Sequence, residues 1–126
     1  MIICAGLTKT GSKSCSTALR KLGEDGKSFK YEKSFPGFKV ADFMETIEFF
    51  AISWCEYFDG KLTIQDILRA YKDHGFDANQ DFPGNVRWEE LYNASPKGTK
   101  VILTVRDNED VWLRNSIHWK TGYHYF

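Results

Sequence analysis

Ten consecutive positions concentrate the chemistry of this chain. Residues 5–14 read Ala-Gly-Leu-Thr-Lys-Thr-Gly-Ser-Lys-Ser and hold two glycines, two lysines and four hydroxyl side chains. An apolar run, Ile2-Ile3-Cys4-Ala5, precedes them, and Cys15, Ala18, Leu19 and Leu22 follow at helical spacing. Strand, glycine-rich loop, helix is an arrangement that binds anions. The loop turns successive backbone N–H groups toward one point, and the helix N-terminus adds about half a positive charge there. Glycines let the backbone come close to a phosphate. Lys9 and Lys13 supply formal charge, and Thr10, Ser12 and Ser14 supply hydroxyl donors.

Two phosphate patterns compete for this segment. The nucleoside triphosphatase loop requires Gly-x-x-x-x-Gly-Lys-Ser/Thr. Gly6 and Gly11 have its spacing, but Ser12 intervenes before Lys13-Ser14 and moves the lysine out of register. Lys9-Thr10-Gly11-Ser12-Lys13-Ser14 instead fits, without a gap, the 5′-phosphosulfate loop Lys/Arg-Thr/Ser-Gly-Ser/Thr-x-Ser. On these residues the sequence resembles the sulfotransferase family, in particular the branch that opens Gly-x-x-Lys/Arg-Thr-Gly-Ser/Thr.

Two later segments extend the resemblance. Val101-Ile-Leu-Thr-Val-Arg106-Asp107 is similar to the family's strand ending in an Arg-Asp/Asn pair, which implies that Arg106 binds a 3′-phosphate. A guanidinium at a strand's carboxyl end can hold phosphate through two parallel hydrogen bonds. The family pairs this arginine with a serine about two turns into the next helix. Arg114 occupies the usual place here, Ser116 is the nearest serine, Asn115 is the other candidate, and Asn108 stands where a proline is expected. Asp81-Phe82-Pro83, followed by Trp88-Glu89-Glu90-Leu91, resembles the branch's Asp-x-Pro motif and the helix after it. The resemblance implies Asp81 as general base, with Glu90 as a weaker alternative.

These residues need a scaffold, and the periodicity supplies one. The pattern predicts a strand at 2–5 and a helix from the loop to Gly23 with Cys15, Ala18, Leu19 and Leu22 inward. It predicts a short strand near Phe29–Tyr31, then a helix over 39–52 with Phe43, Met44, Ile47, Phe50 and Ala51 on its apolar face. A turn at Asp59-Gly60 precedes a helix capped by Thr63, with Ile64, Ile67, Leu68 and Tyr71 on one face and Gly75 at its end. Residues 76–85 read as turns, 86–94 as a short helix, 101–105 as the strongest strand and 109–118 as a helix. The expected fold is therefore α/β, a P-loop-type parallel sheet flanked by helices. The resemblance implies that residues 1–126 are the N-terminal portion of a sulfotransferase domain, truncated at its C-terminal side.

Bulk properties bound the function. The formal net charge is zero, so no global field attracts nucleic acid. Cys4, Cys15 and Cys55 have no metal-site spacing, and their odd number argues for reduced thiols, two of them in the core, and a cytoplasmic setting. No apolar run is long enough to span a membrane, and no signal-peptide pattern is present. His74, His118 and His124 are scattered, which gives no metal site. Phe49-Phe50 and Trp54–Phe58 are core or line an acceptor pocket.

The resemblance implies transfer of a sulfuryl group from 3′-phosphoadenosine 5′-phosphosulfate (PAPS) to a hydroxyl or amine on a small-molecule or carbohydrate acceptor. Lys9 would stabilise charge on the bridging oxygen, and backbone N–H groups of residues 10–14 would hold the 5′-phosphate. The alternatives are a non-catalytic sulfotransferase-like binding protein and, more remotely, a P-loop nucleotide kinase or NTPase.

Overall fold

A computed structural model describes residues 1–22 and 37–122. The elements run β1 (Ile2–Cys4), α1 (Ser12–Lys21), β2 (Val40–Ala41), α2 (Phe43–Glu45), a π-turn (Thr46–Phe50), α3 (Ala51–Phe58), α4 (Ile64–Asp73), β3 (Ala78–Asn79), α5 (Trp88–Ala94), β4 (Lys100–Ile102) and α6 (Glu109–Gly122). The strands form one parallel sheet in the order β2-β3-β1-β4. Ile2 pairs with both Ala78 and Lys100, which makes β1 an inner strand. The expected α/β parallel sheet is present.

Alternation along these short strands gives the sheet two apolar faces. On one, Ile3 and Ala41 pack with Phe50, Trp54, Ile67, Tyr71, Phe76 and Leu91, which come from the π-turn, α3, α4, the segment before β3, and α5. On the other, Cys4, Val40 and Ala78 pack with Leu19 of α1. Aromatic geometry closes the larger core. Phe50 stacks on Tyr71 at 4.2 Å between centroids, and Trp54 Nε1 donates to Tyr71 Oη at 3.4 Å. The polar tip of each large ring thus finds a partner inside the core. Helix α4 forms as its pattern predicts. Thr63 accepts from Asp66 N–H, and the Asp66 carboxylate accepts from Thr63 N–H, a reciprocal cap of roughly 1 kcal/mol.

Several expectations are corrected. β2 lies inside the span read as a helix over 39–52, and β3 lies inside the span read as turns. Each has two residues, too few to show an alternation. The π-turn shifts the helical register, so Phe50 and Trp54 are buried while Phe43, Met44 and Ile47 of the predicted apolar face are exposed. In α1 the inward face runs through Ser16 and Leu19, and Ala18 and Leu22 are exposed. β4 stops at Ile102 rather than at 105, because its neighbour β1 leaves the sheet at Gly6 to enter the loop. The strand expected near Phe29–Tyr31, the helix end at Gly23 and His124 lie outside the described residues.

Candidate functional site

The loop after β1 is built by contacts from three other parts of the chain. Ala5 N–H donates to Ile102 O at 2.8 Å, the last rung of the β1–β4 pairing. Next comes Gly6, where a Cβ would stand 2.0 Å from Thr104 Oγ1 and 2.9 Å from Thr10 Oγ1. Only glycine fits that approach. Thr10 Oγ1 and Thr104 Oγ1 are hydrogen-bonded at 2.8 Å, and Thr10 Oγ1 also reaches Leu7 O. Three loop carbonyls accept from outside donors. Asn85 Nδ2 donates to Gly6 O at 3.2 Å, Trp112 Nε1 to Thr8 O at 2.8 Å, and Arg106 Nε to Lys9 O at 2.7 Å.

Helix α1 starts at Gly11, whose φ of 99° is left-handed and which provides no side-chain cap. Asp42 accepts from Met44 N–H before α2 and Thr63 caps α4, whereas α1, like α3 and α5, has no side-chain N-cap. The first turn of α1 is thus left without a side-chain oxygen from its own N-cap. Lys9 and Lys13 flank it, and Lys9 adopts a left-handed φ of 67°. Burial, then the neighbouring Lys13, pull the Lys9 ammonium below its ordinary range, and Asp81 opposes them. Ser16 secures the inner side of this turn, donating to Ser12 O at 3.1 Å and to Gln80 Oε1 at 3.3 Å.

Asp81 follows β3, the strand beside β1, with a left-handed φ of 65°. The Ser12 side chain and the charges of Lys9 and Lys13 act to lower its carboxyl. Burial still dominates and, with the nearby Asp42 charge, holds the Asp81 carboxyl above the usual carboxylate range. Asp81 is therefore next to the loop. Glu90 is bonded elsewhere, to Tyr57 Oη and to Arg87 Nη1 at 2.8 Å, and those partners pull its carboxyl down.

On the β4 side the structure brings Arg106 onto the loop through its Nε. Ser116 Oγ donates to Trp112 O at 2.9 Å and Asn115 Nδ2 to Val111 O at 2.8 Å, each bonded within its own helix. Asn108, at the position where the resemblance expects proline, caps α6: its Oδ1 accepts from Val111 N–H at 2.9 Å. Phe50 and Trp54 are core residues, and Phe49 packs on Phe76 and His74. Among the described residues no group of His, Cys, Asp or Glu can hold a metal, and no helix is long and apolar enough to cross a membrane.

Trp112, Thr104, Asn85 and Gln80 are contacts that the motifs did not single out. The one signal for them was position: each lies within about two turns of Asp81 or Arg106 in sequence.

An inner parallel strand with a loop at its carboxyl end, and a charged residue following each of the strands that flank it, define an open parallel α/β architecture. The chain belongs to the sulfotransferase family: the family's sulfotransferase domain matches residues 1–121. No curated protein and no solved structure matches it significantly.

Proposed function

We propose that the chain binds 3′-phosphoadenosine 5′-phosphosulfate and transfers its sulfuryl group to a hydroxyl or amine acceptor. The observation that carries this reading is the uncapped first turn of α1 at Gly11, set between Lys9 and Lys13 and flanked by Asp81 and Arg106. Backbone N–H groups of residues 10–14, with the Thr10, Ser12 and Ser14 hydroxyls, would receive the 5′-phosphate. Arg106 would take the 3′-phosphate, with Ser116 or Asn115 as its helix partner.

Reaction at sulfur is an in-line displacement driven by positioning and charge stabilisation. Lys9 would neutralise the charge that grows on the bridging oxygen as the sulfur–oxygen bond breaks. Asp81 would remove the acceptor proton. A carboxylate held above the usual range by burial is a better base than an exposed one, which supports that role.

Isothermal titration with adenosine 3′,5′-bisphosphate tests the reading. Saturable binding in the micromolar range is expected, and an absence of heat at millimolar ligand with folded protein rejects it. Transfer should also be lost in Lys9→Ala, and an unchanged rate removes Lys9 from the mechanism.

A further inference from the structure

Lys9 is a non-glycine residue held at φ 67° in a loop. That conformation is disfavoured for a residue with a Cβ and persists only where the surroundings enforce it. The enforcement is visible on both sides of the Lys9 Cα. The peptide plane before it is held at its carbonyl, Thr8 O, by Trp112 Nε1 at 2.8 Å. The plane after it is held at Lys9 O by Arg106 Nε at 2.7 Å. Rotations φ and ψ of Lys9 are the angles between these two planes, so pinning both fixes both.

We propose that Trp112 is a positioning residue for the anion-binding loop: its indole N–H sets the peptide plane that aims Lys9. An indole N–H only donates, so it can hold a carbonyl and cannot accept from the loop N–H groups that an anion would use. Because a trans peptide places N–H opposite C=O, a Thr8 carbonyl turned toward α6 directs the Lys9 N–H away from that helix. The helix start fixes where the indole reaches. Asn108 caps α6 through Val111 N–H, and Trp112 N–H returns to Asn108 O at 3.2 Å, so Trp112 occupies the first turn above the cap. Its consequence for nucleotide binding rests on the reading above; its effect on the loop does not.

Trp112→Phe keeps an aromatic ring and removes the donor. Two measurements on the full chain separate the outcomes. Amide exchange of Thr10, whose N–H donates to Leu7 O at 3.3 Å, is expected to quicken about tenfold while that of β1 and β3 stays unchanged, since a hydrogen bond that holds this loop is lost locally. Affinity for adenosine 3′,5′-bisphosphate is expected to fall about five- to tenfold. Unchanged loop exchange overturns the proposal, as does loosening that is equal in the loop and the sheet, because Trp112 is then only a packing residue. Faster loop exchange in a parent that binds no bisphosphate supports the clamp and rejects the phosphosulfate reading. If Trp112→Phe does not fold, the benzothiophene analogue of tryptophan at position 112 replaces N–H by sulfur with little change of shape, and is judged by the same two measurements.

Discussion

Arg106 Nε and the carbonyl of Lys9 meet at 2.7 Å across a wide separation in sequence, so one residue touches the loop from the far side of β4. Arg106, the proposed 3′-phosphate ligand, is thereby also a strut of the loop proposed to hold the 5′-phosphate, and the two proposed sites share this contact.

Arg106→Lys separates charge from geometry. Lysine keeps the positive charge but has no donor at the Nε position and no planar fork. Affinity for adenosine 3′,5′-bisphosphate should fall about tenfold or more, and loop amides should exchange faster. Titration calorimetry with parallel amide exchange checks both, and an affinity within twofold of the parent removes Arg106 from the site.

Asp81→Asn should lower transfer by about a hundredfold or more if the carboxylate is the general base. It should also change stability with a defined sign. The Asp81 carboxyl titrates above its ordinary 3.8 in the folded chain, chiefly because it is buried. Such a group favours the folded state only while protonated, and that advantage is lost as pH rises through the folded value. The asparagine variant, neutral throughout, should therefore equal the parent at low pH and exceed it in stability at neutral pH. Urea denaturation at several pH values tests this, and a variant less stable than the parent at neutral pH contradicts the burial argument.

Gly6→Ala should destabilise the fold by about 1–3 kcal/mol, the usual range for overpacking. The new methyl would fall 2.0 Å from Thr104 Oγ1. Thr104→Ala on the same chain should recover part of the loss but not all, because the Thr104 carbonyl also stands 2.8 Å from that methyl. Thermal melts of the single and double variants measure the recovery.

The three thiols should label in a definite order. Cys55 is exposed, Cys15 is half-buried and Cys4 is buried. Burial first, then the Cys15 thiol 3.9 Å away, push the Cys4 thiol up to about 12, so it holds almost no thiolate at neutral pH. Iodoacetamide followed by mass spectrometry should modify Cys55 first and Cys4 last. Early modification of Cys4 in folded protein means that β1 is not packed as described.

Much of the site was legible because its signals are local. The density of lysine, glycine and hydroxyl residues over 5–14 marked the loop, and Asp81 and Arg106 came to it from beyond the ends of the two strands that flank β1. The α4 helix was legible because Thr63, Asp66 and four apolar residues agree on one face. What the pattern missed depends on distant partners. Val40–Ala41 and Ala78–Asn79 are strands only because they pair with each other and, through β3, with Ile2–Ile3. The π-turn turned Phe43, Met44 and Ile47 outward by inserting one residue into a periodic run, which periodicity alone cannot register. Trp112 read as an ordinary helix residue because its partner, Thr8, is far away in sequence.

The order β2-β3-β1-β4 also has a consequence for biosynthesis. Among the described strands β1 is made first and its neighbours come late: Ile2 must wait for Ala78 and then for Lys100. Pairings this distant make for slow folding and leave β1 unshielded during translation. The loop waits longest, since Thr104, Arg106 and Trp112 are made after every strand it touches. A nascent chain stopped before residue 104 lacks the Thr104, Arg106 and Trp112 contacts that brace the loop, so the geometry of the proposed anion site depends on residues made after all four described strands.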